Sequence, residues 1–169
     1  MASAIREVLL AAGGAFVRRI TLVPGVERVA LVGSLTTERS NPKDIDFLLT
    51  VSTVVDMEVV ATMGRKLKGG LQGHASGADV FLCDTNHQYI GRTCAYRECH
   101  PRVACEGADC RKGSWLNTDF HVLRMSTDLC KNPPVVIWPT QHLAVQVPND
   151  VVQMLARLKL ELSEQGRVA

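Results

Sequence analysis

Two carboxylates one residue apart, Asp44 and Asp46, stand directly before the apolar run Phe47-Leu48-Leu49. Side chains alternate along a strand, so Asp44 and Asp46 share one face, about 7 Å apart along the chain, while Ile45 and Phe47 point to the other. Like charges on a half-buried face repel. A hard divalent cation with a preference for oxygen ligands, such as Mg²⁺, is the usual relief. Upstream, the apolar run Val29 to Val32 stops at Gly33-Ser34, and a mostly polar spacer with the turn signal Asn41-Pro42 leads to the pair. Backbone N–H groups at the start of a helix or turn lack partners and face anions, and glycine lets a phosphate approach the main chain. Gly-Ser alone reads as a turn; in front of an Asp pair at this distance it reads as a phosphate contact.

The stretch Val29 to Val51 resembles the signature of the DNA polymerase β-like nucleotidyltransferase superfamily, in particular its small minimal members. The pattern is a strand, Gly-Ser, a spacer of this order, then Asp-hydrophobic-Asp on the next strand, matched here by Gly33, Ser34, Asp44 and Asp46. The family's third carboxylate sits on a following strand, where Gly77-Ala78-Asp79-Val80 offers Asp79. The resemblance covers about half the chain, from the N-terminus to Cys83. It implies an α/β nucleotidyltransferase-like fold, a mixed sheet with flanking helices. It also implies transfer of a nucleoside monophosphate from an NTP to an acceptor hydroxyl, with pyrophosphate released. Two Mg²⁺ ions would be held by Asp44 and Asp46, with Asp79 completing the metal site nearest the acceptor and taking its proton. The family often carries a basic residue immediately after Gly-Ser. This chain has Leu35-Thr36-Thr37 there, which leaves Arg39 or Lys43 to supply the positive charge.

A second constellation follows, spaced Cys94-x4-Cys99-x5-Cys105-x4-Cys110. Apolar residues thin out from Thr85 to Ser114, and a metal staple is one way to order so long a stretch. A tetrahedral, structural Zn²⁺ on the four thiolates is the leading expectation, with His100 and His121 as reserve ligands. Two disulfides or unliganded thiols are the alternatives. Cys83 and Cys130 stand apart and read as buried small residues.

The elements that must position these residues are read from periodicity. Ile5, Leu9, Ala12 and Phe16 form one helical stripe, and Gly13-Gly14 within it, at about 1 kcal/mol each relative to Ala, predicts a short or kinked helix. Pro24-Gly25 is a turn, Val26 to Val32 a strand. Ser52 or Thr53 is the expected cap of a second helix with the stripe Val55, Val59, Met63 and Leu67, ending at Gly69-Gly70. Arg65, Lys66 and Lys68 near its end read as a solvated turn that complements the helix dipole. Ala78 to Leu82 is a third strand. Later come Phe120 to Met125 and Val135 to Trp138 as strands and His142 to Val147 as a further candidate. Asp150-x-x-Gln153 reads as a capping box for a last helix with Val151, Leu155, Leu158 and Leu162 on one face, ending before Gly166. Trp115 and Trp138 read as core rather than as base-stacking platforms.

With 169 residues, 46% hydrophobic and 21% charged, the chain fits one domain over 1–169, with 85–114 as a zinc-binding insertion. A formal charge of +2 gives no strong field for nucleic acid. No run of about 20 apolar residues predicts a membrane span. Val8 to Val17, preceded by Arg6 and Glu7, does not read as a signal peptide, so the expected compartment is the cytoplasm.

The acceptor stays open among a small molecule such as an aminoglycoside, a protein hydroxyl and an RNA 3′ end. Its recognition falls to residues 85–147 or to a second subunit, as in a homodimer or a complex with a partner protein. The other class of function is a non-catalytic nucleotide-binding or protein- or RNA-interaction module with a structural zinc site.

Overall fold

The computed structural model describes residues 3–95, 116–117 and 131–166. In chain order its elements are helix α1 (Ala4–Ile20), strands β1 (Val26–Val32) and β2 (Asp44–Val51), helix α2 (Met57–Leu71), strands β3 (Gly77–Cys83), β4 (Tyr89–Thr93), β5 (Leu116–Asn117) and β6 (Val135–Trp138), and helix α3 (Asn149–Glu164). The strands form one mixed sheet in the order β5-β4-β3-β2-β1-β6. Only β2 and β3 pair in parallel, because α2 carries the chain back across the sheet between them; the other described pairs are antiparallel. The architecture is α/β with flanking helices.

Alternation along β2 divides the sheet into two faces. Ile45, Phe47 and Leu49 are fully buried under the helices, with Phe16 of α1 tilted against Phe47 at a ring-centroid distance of 5.0 Å. Burying a side chain of this size stabilises by about 1.5–3 kcal/mol. Contrary to expectation, α1 runs unbroken through Gly13-Gly14. A Cβ on Gly13 would collide with the Ile45 Cδ1 methyl and stand 3.1 Å from Phe47 Cζ, so the glycine is what allows the helix to lie this close to β2.

The second helix departs from expectation at both ends. Ser52 is still held to the sheet through its N–H to the Gly25 carbonyl (2.8 Å), so neither it nor Thr53 caps α2. Asp56 does, accepting from the N–H groups of Glu58 (2.9 Å) and Val59 (3.2 Å). The later start rotates the buried stripe to Val60, Ala61, Gly64, Leu67 and Leu71, leaves Val59 exposed, and lets the helix pass Gly69-Gly70 to Leu71.

Helix α3 buries Val151, Leu155, Leu158 and Leu162 as its periodicity predicts and ends before Gly166. Its capping box does not form: the N-cap is Pro148, and the Asp150 carboxylate is drawn away to Arg6. His142 to Val147 is not a strand; His142 alone makes a bridge to Val136. Trp138 packs against the edge of the core. Within the stretch expected to lack regular structure, Tyr89–Thr93 forms β4, a strand too short and polar to be seen by alternation. The expected strand Phe120 to Met125, Trp115, and the cysteine cluster beyond Cys94 (Cys99, Cys105 and Cys110, with His100, His121 and Cys130) lie outside the described residues. Cys94 itself is half-buried just past β4, and Cys83 is buried, with its thiol 3.4 Å from Thr50 Oγ1. No helix among the described residues is long and apolar enough to cross a membrane.

Candidate active site

Strand β1 runs against β2, so Gly33 at the end of β1 lies beside the start of β2, and β3, parallel to β2, begins at the same end of the sheet. Val32 is the register partner of Asp46, Asp46 of Asp79, and Asp44 of Gly77. Paired residues on neighbouring strands share a face. Asp44, Asp46 and Asp79 therefore come together on the side of the sheet opposite Ile45, Phe47, Ala78 and Val80, with Asp44 exposed and the other two half-buried.

Two glycines make room for the carboxylates. A Cβ on Gly33 would stand 2.6 Å from Asp46 Oδ2, and one on Gly77 would stand 2.6 Å from Asp44 Oδ1. Gly33 also has φ +80°, a conformation costly for any other residue. It leads into a 3-10 turn, Ser34–Thr36, in which the Thr36 hydroxyl donates to the Gly33 carbonyl and the Thr37 hydroxyl to that of Ser34, each at 2.8 Å. The N–H groups of Ser34 and Leu35 open the turn and have no partner within it. Leu35 and Thr36, which follow Gly-Ser, are buried, so the turn has no space there for the basic side chain that the resemblance leads one to look for.

The three carboxylates make the site electrostatically negative. Burial, then the charges of Asp79 and Asp44, push the Asp46 carboxyl up to about 7, against partial relief from an Asp79 backbone hydrogen bond and the Lys68 ammonium. The Lys68 ammonium lies 3.5 Å from Asp79 Oδ1 and the Arg92 guanidinium 3.4 Å from Asp79 Oδ2. The reading of Lys68 as a solvated helix end is thus corrected: α2 delivers it to the third carboxylate. Among the described residues no three His, Cys, Asp or Glu side chains stand in a finished metal-binding arrangement. The donor set nevertheless suits a hard cation. It consists of oxygens alone, is cradled by two glycines, and includes a carboxylate whose ionisation the site opposes until positive charge arrives.

Behind the turn stands Arg6, a buried guanidinium. It donates to both Asp150 oxygens (2.6 and 2.9 Å) and to the carbonyls of Leu35 (3.1 Å), Thr37 (3.2 Å) and Arg39 (2.9 Å). Hydrogen bonding by Arg6 holds the Asp150 carboxyl below the usual carboxylate range. Asn132 adds a bond from its amide nitrogen to the Thr36 carbonyl (2.7 Å). The loop between β1 and β2 is therefore gripped from two directions, by Arg6 of α1, itself anchored on Asp150 of α3, and by Asn132 on the approach to β6. Arg39 and Lys43 are exposed on this loop, Lys43 directly before Asp44, where its carbonyl accepts from the Gly77 N–H at 3.0 Å.

Sequence reading missed Gly77, Lys68, Arg92 and Arg6. A glycine in register with Asp44 is visible only once β2 and β3 are paired, and Arg6 looks like an ordinary helix-end cation until its partner, 144 positions away, is known. Comparison with protein-family models, with curated proteins and with solved structures finds no match to this chain.

Proposed function

We propose that this chain is a nucleotidyltransferase that moves a nucleoside monophosphate from an NTP to an acceptor hydroxyl. The observation that supports the reading most is the register Asp46↔Asp79, which brings a third carboxylate to the Asp44–Asp46 face beside the Gly33-Ser34 turn. On this reading Asp44, Asp46 and Asp79 would hold Mg²⁺, which would supply neutralising charge for the triphosphate and for the departing pyrophosphate. The N–H groups of Ser34 and Leu35 bind phosphate oxygens, and Gly33 keeps the main chain open to them. Asp79 accepts the proton of the attacking hydroxyl, and Lys68 and Arg92 hold its carboxylate in place. Arg39 and Lys43, both exposed at the mouth of the loop, steer the triphosphate. The cysteines Cys94, Cys99, Cys105 and Cys110 are read as a structural Zn²⁺ site, and the compartment as cytoplasmic.

A second reading, a nucleotide-binding module without catalysis, is favoured by one observation: Asp79 already makes two ion pairs. The deciding experiment incubates the protein with Mg²⁺, each radiolabelled NTP and a panel of hydroxyl acceptors, comparing wild type with Asp46→Asn. Label transfer by wild type alone supports the enzyme. Mg²⁺-dependent NTP binding without transfer supports the module.

A further inference from the structure

Past the carboxylates, the same face of the sheet carries an apolar trough of about 770 Å³. Its floor is Ala30, Val32, Leu48, Phe81 and Val136, from four neighbouring strands. One end adjoins the proposed site: Val32 is the register partner of Asp46, and Leu48 follows Asp46 on the same face. The far end is marked by Arg28, register partner of Thr50 and four strand residues from Val32, or about 13 Å. Lys131 lines the near end, next to the Asn132 that holds Thr36. Among the described residues that line the trough there is no carboxylate, and Arg28 and Lys131 make no ion pair among the described residues.

We infer that the trough binds the acceptor of the proposed transfer, and that this acceptor is a small amphipathic molecule with a flat apolar body, a hydroxyl at one end and an anionic group at the other. The inference rests on the nucleotidyltransferase reading for the word acceptor, and on the trough alone for the chemistry of the ligand. The described lining carries two cations, Arg28 and Lys131, and no carboxylate, so it attracts an anion; of the two, Arg28 stands at the end away from Asp44 and Asp46, where an anion meets no carboxylate. The ligand is thereby oriented with its uncharged hydroxyl toward Asp79. Beyond the Asp44, Asp46 and Asp79 end, the described lining offers no carboxylate for the several ammonium groups of an aminoglycoside. An RNA end carries a phosphate at every step, and between Arg28 and Lys131 the described residues of the floor offer no cation to meet them.

The test uses two probes with the same aromatic body: 1-anilinonaphthalene-8-sulfonate, which is anionic, and N-phenyl-1-naphthylamine, which lacks the sulfonate. Fluorescence titration should give one saturable site per chain for both, the sulfonate binding about tenfold more tightly, as expected for one charge-assisted contact. Arg28→Ala should abolish that preference without changing the melting temperature, since Arg28 is exposed, and Arg28→Lys should keep most of it. Equal binding of the two probes, absence of a saturable site, or a sulfonate preference that survives Arg28→Ala would overturn the inference. Asp46→Asn should leave both probes bound, and absence of transfer by the wild type with retained probe discrimination counts against the reaction and not against the trough.

Discussion

The carboxylate of Asp46 occupies the space in which a side chain on Gly33 would have to begin, 2.6 Å from the position of the missing Cβ. The end of β1 and the start of β2 are thus fitted to one another, the carboxylate of one standing where a side chain of the other would be. Gly33→Val should both strain the backbone at φ +80° and push Asp46 aside, costing on the order of 1–3 kcal/mol in stability. NTP affinity, followed by calorimetric titration, should fall more steeply than stability. Unchanged affinity would mean that Gly33 serves only the turn.

Asp46 makes stability and the proposed activity oppose each other. Its carboxyl is raised from 3.8 to about 7, so the folded chain holds this proton more tightly than the unfolded chain does. The associated stability is fully present below about pH 4 and is lost as pH rises to about 7, at no more than about 1.4 kcal/mol per pH unit. Urea unfolding without divalent cations should show this decline in wild type and not in Asp46→Asn, which should be the more stable protein at pH 8 while losing all transfer. A flat wild-type profile over this range would remove Asp46 from the negative cluster.

Arg6 and Asp150 carry the opposite sign. The depressed Asp150 carboxyl contributes stability that is present above its unfolded value near 4 and is lost as pH falls through the folded one. Asp150→Asn leaves the Arg6 guanidinium buried without its counter-charge and should cost about 3 kcal/mol. The double variant Arg6→Met/Asp150→Asn, measured by thermal melts, should be more stable than Asp150→Asn alone. The loop from Ser34 to Arg39 should nevertheless lose NTP affinity in the double variant, because three of its carbonyls, those of Leu35, Thr37 and Arg39, no longer have the Arg6 donor.

The Lys68–Asp79 pair is partly exposed, so Lys68→Gln should change stability by less than about 1 kcal/mol. Its effect should fall instead on turnover, by about tenfold, if Lys68 orients the group that accepts the proton. A variant with normal kcat and KM would return Lys68 to the role of a solvated helix end.

Zinc is tested without reference to catalysis. If Cys94, Cys99, Cys105 and Cys110 are its ligands, elemental analysis should find about one zinc per chain, retained in reductant and removed by strong chelator. A metal-free protein without free thiols would mean disulfides.

What was legible in the sequence is what repeats locally. The period of two at Asp44-Ile45-Asp46-Phe47 dictated a charged face and a buried face on one strand, and the bounds of β1 and β6 and the stripe of α3 followed from equally short patterns. Glycines misled where their use was tertiary: Gly13 marks an approach to β2, not a kink. Pairing decided the rest. Whether Asp79 meets Asp46 or faces solvent elsewhere depends on the β2–β3 register, and a slip of one residue would have sent it to the helical face. That register is set by the burial of a whole face, Phe47 with Val80 and Leu49 with Leu82, across the α2 crossover. The Arg6–Asp150 pair and the delivery of Lys68 to Asp79 likewise required the helices to be docked, because no local period links side chains from different elements.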